Sequence, residues 1–220
     1  MTELLSTPYP VTLLLIVANA AFFVYSLANP AFVEENLLHV EAVRQDREYH
    51  RLLTSGFLHG GFLHLFVNMY VLFFFGGIVE MVLGPIGFLI VYFAALIGGS
   101  FWAVIENLQK PDYRALGASG ATSGIVLSFI LFEPFEPLMI FPIPVFLPAV
   151  LIGFLFIVGS AILAQRENKT IGHEAHLGGA LAGILATIVV EPRTLTRFSE
   201  QLVKRPESER SSAVQTVRTE

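Results

Sequence analysis

Long apolar runs alternate with short polar stretches along most of the chain, and the lengths of these runs approach what a lipid bilayer requires. A membrane-spanning helix needs about 20 mainly apolar residues, and six segments meet or nearly meet that length. Their limits fall at Gly, Pro and charged residues, which end or interrupt helices. The predicted spans are approximately Val11–Leu27, Phe57–Val82, Ile86–Ile105, Gly117–Phe132, Leu138–Leu163 and Ile171–Val190.

The fourth predicted span is the shortest of the six. Its 16 residues would cover about 24 Å as a helix, against a hydrocarbon core of about 30 Å. We therefore expect the start of this helix to be recessed below the membrane surface. Non-helical backbone at that depth is tolerated only where it is buried in protein or lines a water-filled cavity, so the recess would bring water to the start of the helix.

Two polar segments lie outside the spans. Residues 34–51 form an amphipathic first loop, which we expect to lie at the membrane interface as short helices. From residue 193 onward the chain is polar and has no hydrophobic period, which predicts a disordered tail. The predicted organisation is a membrane domain over residues 1–192 and a tail over residues 193–220. The N-terminal apolar run lacks the flanks of a cleaved signal peptide and is interpreted as a retained span.

The composition supports the class and excludes several functions. Hydrophobic residues make up 54% of the chain and charged residues 14%, whereas soluble domains carry about 25% charged residues. These values predict an all-α membrane protein with the lipid bilayer as a partner. The dispersed charge gives no indication of a nucleic-acid partner, and the absence of cysteine excludes disulfides and thiol chemistry. Short soluble segments favour a prokaryotic inner membrane, and no feature predicts an oligomeric state.

Four polar residues inside the spans are predicted to lie near one face of the membrane. Ser119 follows the third loop, His176 follows the fifth, and His64 and Asn68 follow the first. Odd-numbered loops of a multi-span protein share one side of the membrane. Each of these residues lies only a short way into its span, at about 1.5 Å per residue, so we expect comparable depths. Polar residues inside a membrane are costly and usually serve a function.

These residue types predict serine hydrolysis. A serine hydroxyl becomes a good nucleophile when a neighbouring base takes its proton, and His176 is suited to that role near neutral pH. His64, the Asn68 amide and the backbone N–H of Ser119 could stabilise the oxyanion. Glu174 lies two residues from His176 and points off its helix face, so the prediction is a Ser-His dyad. The small residues 117–124 are also typical of a helix-packing seam.

Three separated motifs resemble those of the rhomboid family of intramembrane serine proteases. Gly117-Ala118-Ser119-Gly120 opens one helix, and Ala175-His176-Leu177-Gly178-Gly179 lies in another. His59, with the segment from His64 to Asn68, matches the family's His-x4-His-x3-Asn motif in the second span. The resemblance covers all six predicted spans. It implies a six-helix bundle with a short recessed fourth helix and an interfacial first loop.

The resemblance also implies an activity and a set of roles. The family cleaves transmembrane segments of other proteins near helix-breaking residues and uses neither a cofactor nor a metal. Ser119 would be the nucleophile, His176 the general base, and His64 and Asn68 part of the oxyanion hole. The resemblance further implies a cytoplasmic N-terminus, a mobile cap in the fifth loop and substrate entry beside the fifth span.

Supporting residues surround these groups. His59 is expected to order the first loop by hydrogen bonding, and Arg51 to anchor that loop or contact a lipid phosphate. Gly117 and Gly120 flank the serine in its motif. The glycines of the sixth span are interpreted as the notch that lets this span approach the fourth: Gly178, Gly179 and Gly183.

The chain departs from the family pattern at two positions. Many relatives carry Trp-Arg in the first loop, where this chain has His50-Arg51. Many also carry an aromatic residue four positions after the serine, stacked on the catalytic histidine, where this chain has Ser123. Ser123 would either hydrogen-bond His176 or leave room for water.

Three other functions compete with this one. His173-Glu174-Ala175-His176 suggests a zinc protease, but its histidines are three apart where the His-Glu-x-x-His motif has four. A catalytically inactive relative could bind transmembrane segments without cutting them, although such proteins lose the serine or the histidine. A small-solute transporter would show paired broken helices, which this sequence lacks.

Overall fold

The computed structural model describes residues 8–139, 145–164 and 172–203, most of which are helical. Its helices are α1 (Pro10–Ala28), α2 (Pro30–Asn36), α3 (Val40–Arg44), α4 (Arg51–Thr54), α5 (Phe62–Val71), α6 (Gly77–Glu106), α7 (Ser119–Phe132), α8 (Ala149–Ala164), α9 (His173–Val190) and α10 (193–203). Its strands form two short antiparallel pairs, β1 (Leu38–His39) with β2 (Arg114–Ala115) and β3 (Pro137–Met139) with β4 (Phe146–Pro148). The predicted cap in the fifth loop and residues 204–220 lie outside the described residues.

Three helical stretches are long and apolar enough to cross a membrane: α1, the continuous run Phe62–Glu106, and α9. The apolar helix α7 and the apolar part of α8, Ala149–Val158, are shorter. The protein is therefore a mainly helical membrane bundle, as the sequence predicts. The count of six spans stays a prediction, because α7 and α8 do not reach the length of a full span.

The run Phe62–Glu106 is interrupted where the sequence predicts a boundary. Gly84 has φ 72° and ψ 167°, a conformation that glycine adopts without steric cost, and Pro85 follows it. A π-helical turn at Leu72–Gly76 joins α5 to α6. Helix α5 begins at Phe62, five residues later than predicted, because Ser55–Phe57 form a 3-10 turn and an extended segment follows it.

A buried carboxylate fixes the start of α1. Pro10 is the first helical residue, so the next amides of the first turn lack helical partners. Glu80, which is 1% exposed, accepts hydrogen bonds from the backbone N–H of Val11 at 2.9 Å and of Thr12 at 2.7 Å. Glu80 also accepts a hydrogen bond from the Thr12 hydroxyl at 2.7 Å. Glu80 thus caps α1 from α6.

The first loop forms short helices, as predicted, and Arg51 organises them. Its side chain is buried and donates to the Glu34 carbonyl at 2.7 Å, the Leu37 carbonyl at 2.9 Å and the Glu48 carboxylate at 2.5 Å. Of the two roles considered for Arg51, anchoring the first loop and contacting a lipid phosphate, the structure shows the first. Pairing of β1 with β2 ties this loop to the third loop, which places the two loops on one side of the bundle.

Helix α7 is the central element of the bundle. Its 14 residues are all buried except Ser119 and Val126, and it packs against α5, α6, α8 and α9. It begins two residues later than predicted, because Gly117 has a φ of 125° that a helix does not allow. Fourteen residues span about 21 Å, so α7 is short, as the sequence predicts. Its recess in the membrane stays a prediction.

The segment after α9 differs from the disordered tail expected from residue 193. Residues 193–203 form α10, in which Thr194 is 1% exposed. The Gln201 amide donates a hydrogen bond to the Phe132 carbonyl at 3.1 Å. This helix satisfies an open carbonyl at the end of α7, a contact that a polar sequence without a hydrophobic period does not reveal.

Replacing Glu80 should destabilise the protein. In Glu80→Ala, the two amides and one hydroxyl at the start of α1 lose their buried acceptor, which should cost about 2 kcal/mol or more. Thermal unfolding in detergent measures the effect. The control is Glu106→Gln, at an exposed position of α6. Equal melting temperatures for the two variants would contradict the capping role.

Candidate active site

The turn before Ser119 is built around Gly117. The N–H of Gly117 donates to the Ser55 carbonyl at 2.9 Å, and its positive φ favours glycine. A Cβ at this position would lie 2.6 Å from Cε1 and 2.8 Å from Nε2 of His64. The His64 ring therefore lies directly against the backbone that leads into Ser119, the first residue of α7.

Glycines bring α7 and α9 into backbone contact. A Cβ on Gly179 would lie 2.7 Å from Cα of Gly120, and one on Gly183 would lie 2.8 Å from the carbonyl carbon of Gly124. Further along, the hydroxyls of Ser128 and Thr187 share a buried hydrogen bond of 2.6 Å. Each pair differs by 59 in residue number, so the two helices run parallel and in constant register.

This register places Ser119 and His176 at the same end of the helix pair. His176 is level with Gly117, two residues or about 3 Å along the axis from Ser119. A Cβ on Gly120 would lie 3.3 Å from the Ala175 carbonyl oxygen, so the residues next to Ser119 and His176 are in contact. Both side chains are partly exposed, which leaves them open to a substrate.

Asn68 reaches α7 from α5. Its Oδ1 accepts a hydrogen bond from the Thr122 hydroxyl at 3.2 Å, and its Nδ2 donates to the His64 carbonyl at 2.9 Å. An amide nitrogen carries two hydrogens, so Nδ2 retains donor capacity beyond this bond. The structure thus brings His64 and Asn68 to the first turns of α7.

Comparison with known proteins identifies the family. A family model described as the Rhomboid domain matches residues 46–193, a range that includes all four of these residues. The chain belongs to the rhomboid family.

Named relatives agree with this membership. The chain is 35% identical over 195 residues to RHOMBOID-like protein 12, mitochondrial, of Arabidopsis thaliana, which covers 80% of this chain and 57% of that protein. It is 34% identical over 143 residues to the human Presenilin-associated rhomboid-like protein, mitochondrial, covering 60% of this chain and 36% of that protein. It is 30% identical over 151 residues to the rhomboid protein YdcA of Bacillus subtilis (strain 168), covering 69% and 72%.

These relatives bear on localisation and length. This rhomboid is an integral membrane protein, but relatives from mitochondria give no support to the predicted prokaryotic inner membrane. The chain spans 57% of the plant relative and 36% of the human one. The activity, substrates and partners of those whole proteins therefore do not transfer to this chain by similarity alone.

The Ser123 hydroxyl does not bond His176, which was one of its two predicted roles. Ser123 is 7% exposed, and its Oγ donates to the Ser119 carbonyl of its own helix at 2.6 Å. An aromatic ring does stack on His176, but it comes from α8. The Phe156 and His176 ring centroids are 6.1 Å apart, and their planes differ by 23°. Sequence reasoning missed Phe156, because nothing distinguishes it among the apolar residues of its span.

His59 contacts the site through its ring. It is 7% exposed, and its imidazole meets that of His64 edge to face at 5.1 Å between centroids. His59 therefore supports the position of His64. This ring contact differs from the role expected from the sequence, which was to order the first loop by hydrogen bonding. The glycine notch is confirmed for Gly179 and Gly183, whereas Gly178 packs on Trp102 of α6 and not on α7.

Glu174, two residues before His176, is buried within the bundle. It is 0% exposed and accepts a hydrogen bond from Nδ2 of Asn107 at 2.9 Å. Burial, together with the nearby Glu174 carboxylate, raises the pKa of Tyr113 in the third loop, so this phenol stays protonated. Glu174 thus anchors the start of α9 to α6 and the third loop.

Among the residues that the structure describes, the histidine pair of the zinc hypothesis gains no third ligand. The rings of His173 and His176 are 5.8 Å apart, and Glu174 faces Asn107. A group of three possible metal-ligating residues does occur among residues 8–139, 145–164 and 172–203, but it lies elsewhere. It consists of His39, Glu41 and Asp112 in the first and third loops, whose possible ligand atoms lie within 4.8 Å of one another. The geometry of α9 therefore does not favour a metalloprotease.

A methyl group added to the α7–α9 contact should force the helices apart. Gly183→Ala places its Cβ against the Gly124 backbone, so it should lower the free energy of unfolding by about 1–3 kcal/mol. The control is Gly61→Ala, because a Cβ at Gly61 has nothing within 4 Å. Thermal unfolding of both variants measures the difference, and equal stability would argue against backbone contact at Gly183.

Proposed function

We propose that this rhomboid is an intramembrane serine endopeptidase that hydrolyses peptide bonds in or near the transmembrane segments of other membrane proteins. Ser119 is the nucleophile and His176 the general base. The observation that carries the proposal is the parallel backbone contact of α7 and α9, which holds the first turns of both helices together. The lipid bilayer and transmembrane substrates are its partners, and the reaction uses no cofactor.

The chemistry follows from these positions. Ser119 Oγ attacks the carbonyl carbon of the scissile bond while His176 takes the hydroxyl proton. The tetrahedral intermediate collapses as the C–N bond breaks, and His176 returns the proton to the leaving nitrogen. A water molecule then hydrolyses the acyl-enzyme with His176 again as base, which regenerates the Ser119 hydroxyl.

The start of α7 supplies donors for the oxyanion. The first N–H groups of a helix have no intrahelical acceptor, and the helix dipole favours negative charge at that end. The Ser119 N–H is one of these groups. His64 lies against Gly117 and Asn68 bonds Thr122, so both side chains lie beside the same turn. Donors placed before the reaction stabilise the developing charge without having to reorganise.

Loss of either dyad residue should abolish cleavage. Ser119→Ala removes the nucleophile and His176→Ala removes the base, so each should lower kcat by at least about 10³-fold. Cleavage of a model transmembrane substrate in liposomes measures this. Ser199→Ala is the control, because Ser199 is exposed on α10 and its hydroxyl bonds only the Thr196 carbonyl of its own helix.

Two cleavage results would change the assignment. Cleavage by Ser119→Ala would remove the serine from the mechanism, and loss of cleavage with a chelator would favour the metal hypothesis.

A fluorophosphonate probe separates an active enzyme that lacks its substrate from an inactive relative. Labelling of wild type but not of Ser119→Ala would show an active serine even without a suitable substrate. Absence of both labelling and cleavage would favour the inactive relative that binds transmembrane segments.

The oxyanion role of Asn68 can be separated from a packing role. Asn68→Ala should lower kcat by about 10²- to 10³-fold with little change in KM, because the donor acts on the transition state. Thr122→Val removes the bond between α5 and α7 but leaves the Asn68 amide in place. Equal losses of kcat in the two variants would show that Asn68 acts through packing.

A further inference from the structure

The contact on His176 comes from a helix that the sequence motifs do not involve. Phe156 lies on α8, is partly buried and packs against the main apolar core. Its ring stacks on the His176 imidazole at 6.1 Å and 23°, within the range of offset-stacked aromatic pairs. A second ring, that of His173, meets the imidazole edge-on at 5.8 Å. One face of His176 is therefore covered by Phe156.

The packing of α8 on α7 explains how Phe156 reaches this position. The N–H of Val150 donates to the Pro134 carbonyl at 2.8 Å, so α8 begins beside the end of α7 and runs back along it. Gly153 then allows close contact, since a Cβ there would lie 2.7 Å from Cδ1 of Ile130. Phe156 is three residues, or about 4.5 Å, further toward the Ser119 end.

The residue on α7 that could have covered the imidazole is small. Ser123 follows Ser119 by four residues and so lies one turn below it on the same face. Its hydroxyl bonds back to the Ser119 carbonyl, which keeps the side chain against its own helix. The space beside His176 is thus open to a ring from α8.

A ring in this place has two physical effects on a general base. Contact with an aromatic face restricts rotation of the imidazole, which limits the directions in which its two nitrogens can point. When the base takes the serine proton it becomes a cation, and the face of an aromatic ring at about 6 Å attracts a cation. Both effects favour the transition state of proton transfer over other orientations of the ring.

We infer that Phe156 is a positioning residue for the general base His176 and supplies from α8 the aromatic contact that Ser123 cannot make from α7. This inference rests on the proposed serine protease function. It has a structural consequence. An aromatic residue at position 123 would couple the base only to the helix of the nucleophile, whereas Phe156 makes the base depend on where α8 lies.

The test combines removal of the ring with its return from the other helix. Phe156→Leu keeps an apolar side chain and should lower kcat roughly 3- to 10-fold with KM unchanged. Phe156→Tyr should retain wild-type kcat. Phe156→Ala should lose more, and the double variant Ser123→Tyr/Phe156→Ala should recover activity over Phe156→Ala alone. Phe154→Leu is the matched control, because Phe154 lies on the same helix and is 62% exposed.

A spectroscopic measurement tests the contact without requiring activity. In full-length protein with isotope-labelled histidine, the Cε1–H resonance of His176, assigned with His176→Gln, should shift in Phe156→Leu and not in Phe154→Leu. An unshifted resonance would overturn the inference, as would wild-type kcat in Phe156→Leu. If Phe156→Ala does not fold, Phe156→Leu and Phe156→Tyr decide the result.

The two proposals fail in different ways. If wild type neither cleaves a substrate nor reacts with a fluorophosphonate, the protease function is wrong, and the His176 resonance still decides whether Phe156 holds the ring. If wild type is active and Phe156→Leu matches it in both kcat and resonance position, the protease function stands and the positioning role of Phe156 is wrong.

Discussion

The contact between the backbones of α7 and α9 is the constraint on which the rest of the molecule depends. Lipid tails are as apolar as leucine side chains, so membrane helices associate through close van der Waals packing and interhelical hydrogen bonds. Here Gly179 and Gly183 remove the side chains that would keep α9 away from α7, and Thr187 adds a buried hydrogen bond to Ser128. Since both helices start at the same end, the contact that holds the bundle together also holds together the first turns of α7 and α9, which carry Ser119 and His176.

Polar groups away from this contact serve as internal anchors. Glu80 satisfies the open amides of α1 from α6, and Arg51 gathers the carbonyls of the first loop. Glu174 ties the start of α9 to Asn107 of α6. Unpaired polar groups are costly in an apolar surrounding, and each of these charged side chains is matched by donors or acceptors from another part of the chain. The candidate site thus rests on elements that are fixed in several independent places.

Much of this arrangement was predictable from the sequence, and the exceptions have identifiable causes. Gly84 and Pro85 marked the break within the long apolar run because their backbone preferences are local. The start of α5 was placed too early because residues 57–61 are mostly apolar or small, and only their conformation separates them from the helix. The helix at residues 193–203 was missed because its contacts do not produce a hydrophobic period in the sequence. These contacts are the hydrogen bond from the Gln201 side chain to the Phe132 carbonyl and the burial of Thr194.

By itself the sequence determined the class of protein, the order of its apolar segments and the residue types available for hydrolysis, since these depend on composition, length and local preference. The tertiary structure decided which side chains meet. It directed the Ser123 hydroxyl to its own helix and placed the Phe156 ring on His176, contacts that depend on the register of α8 against α7 and α9. Register between helices results from the packing of all their facing residues at once, so no single motif could specify it.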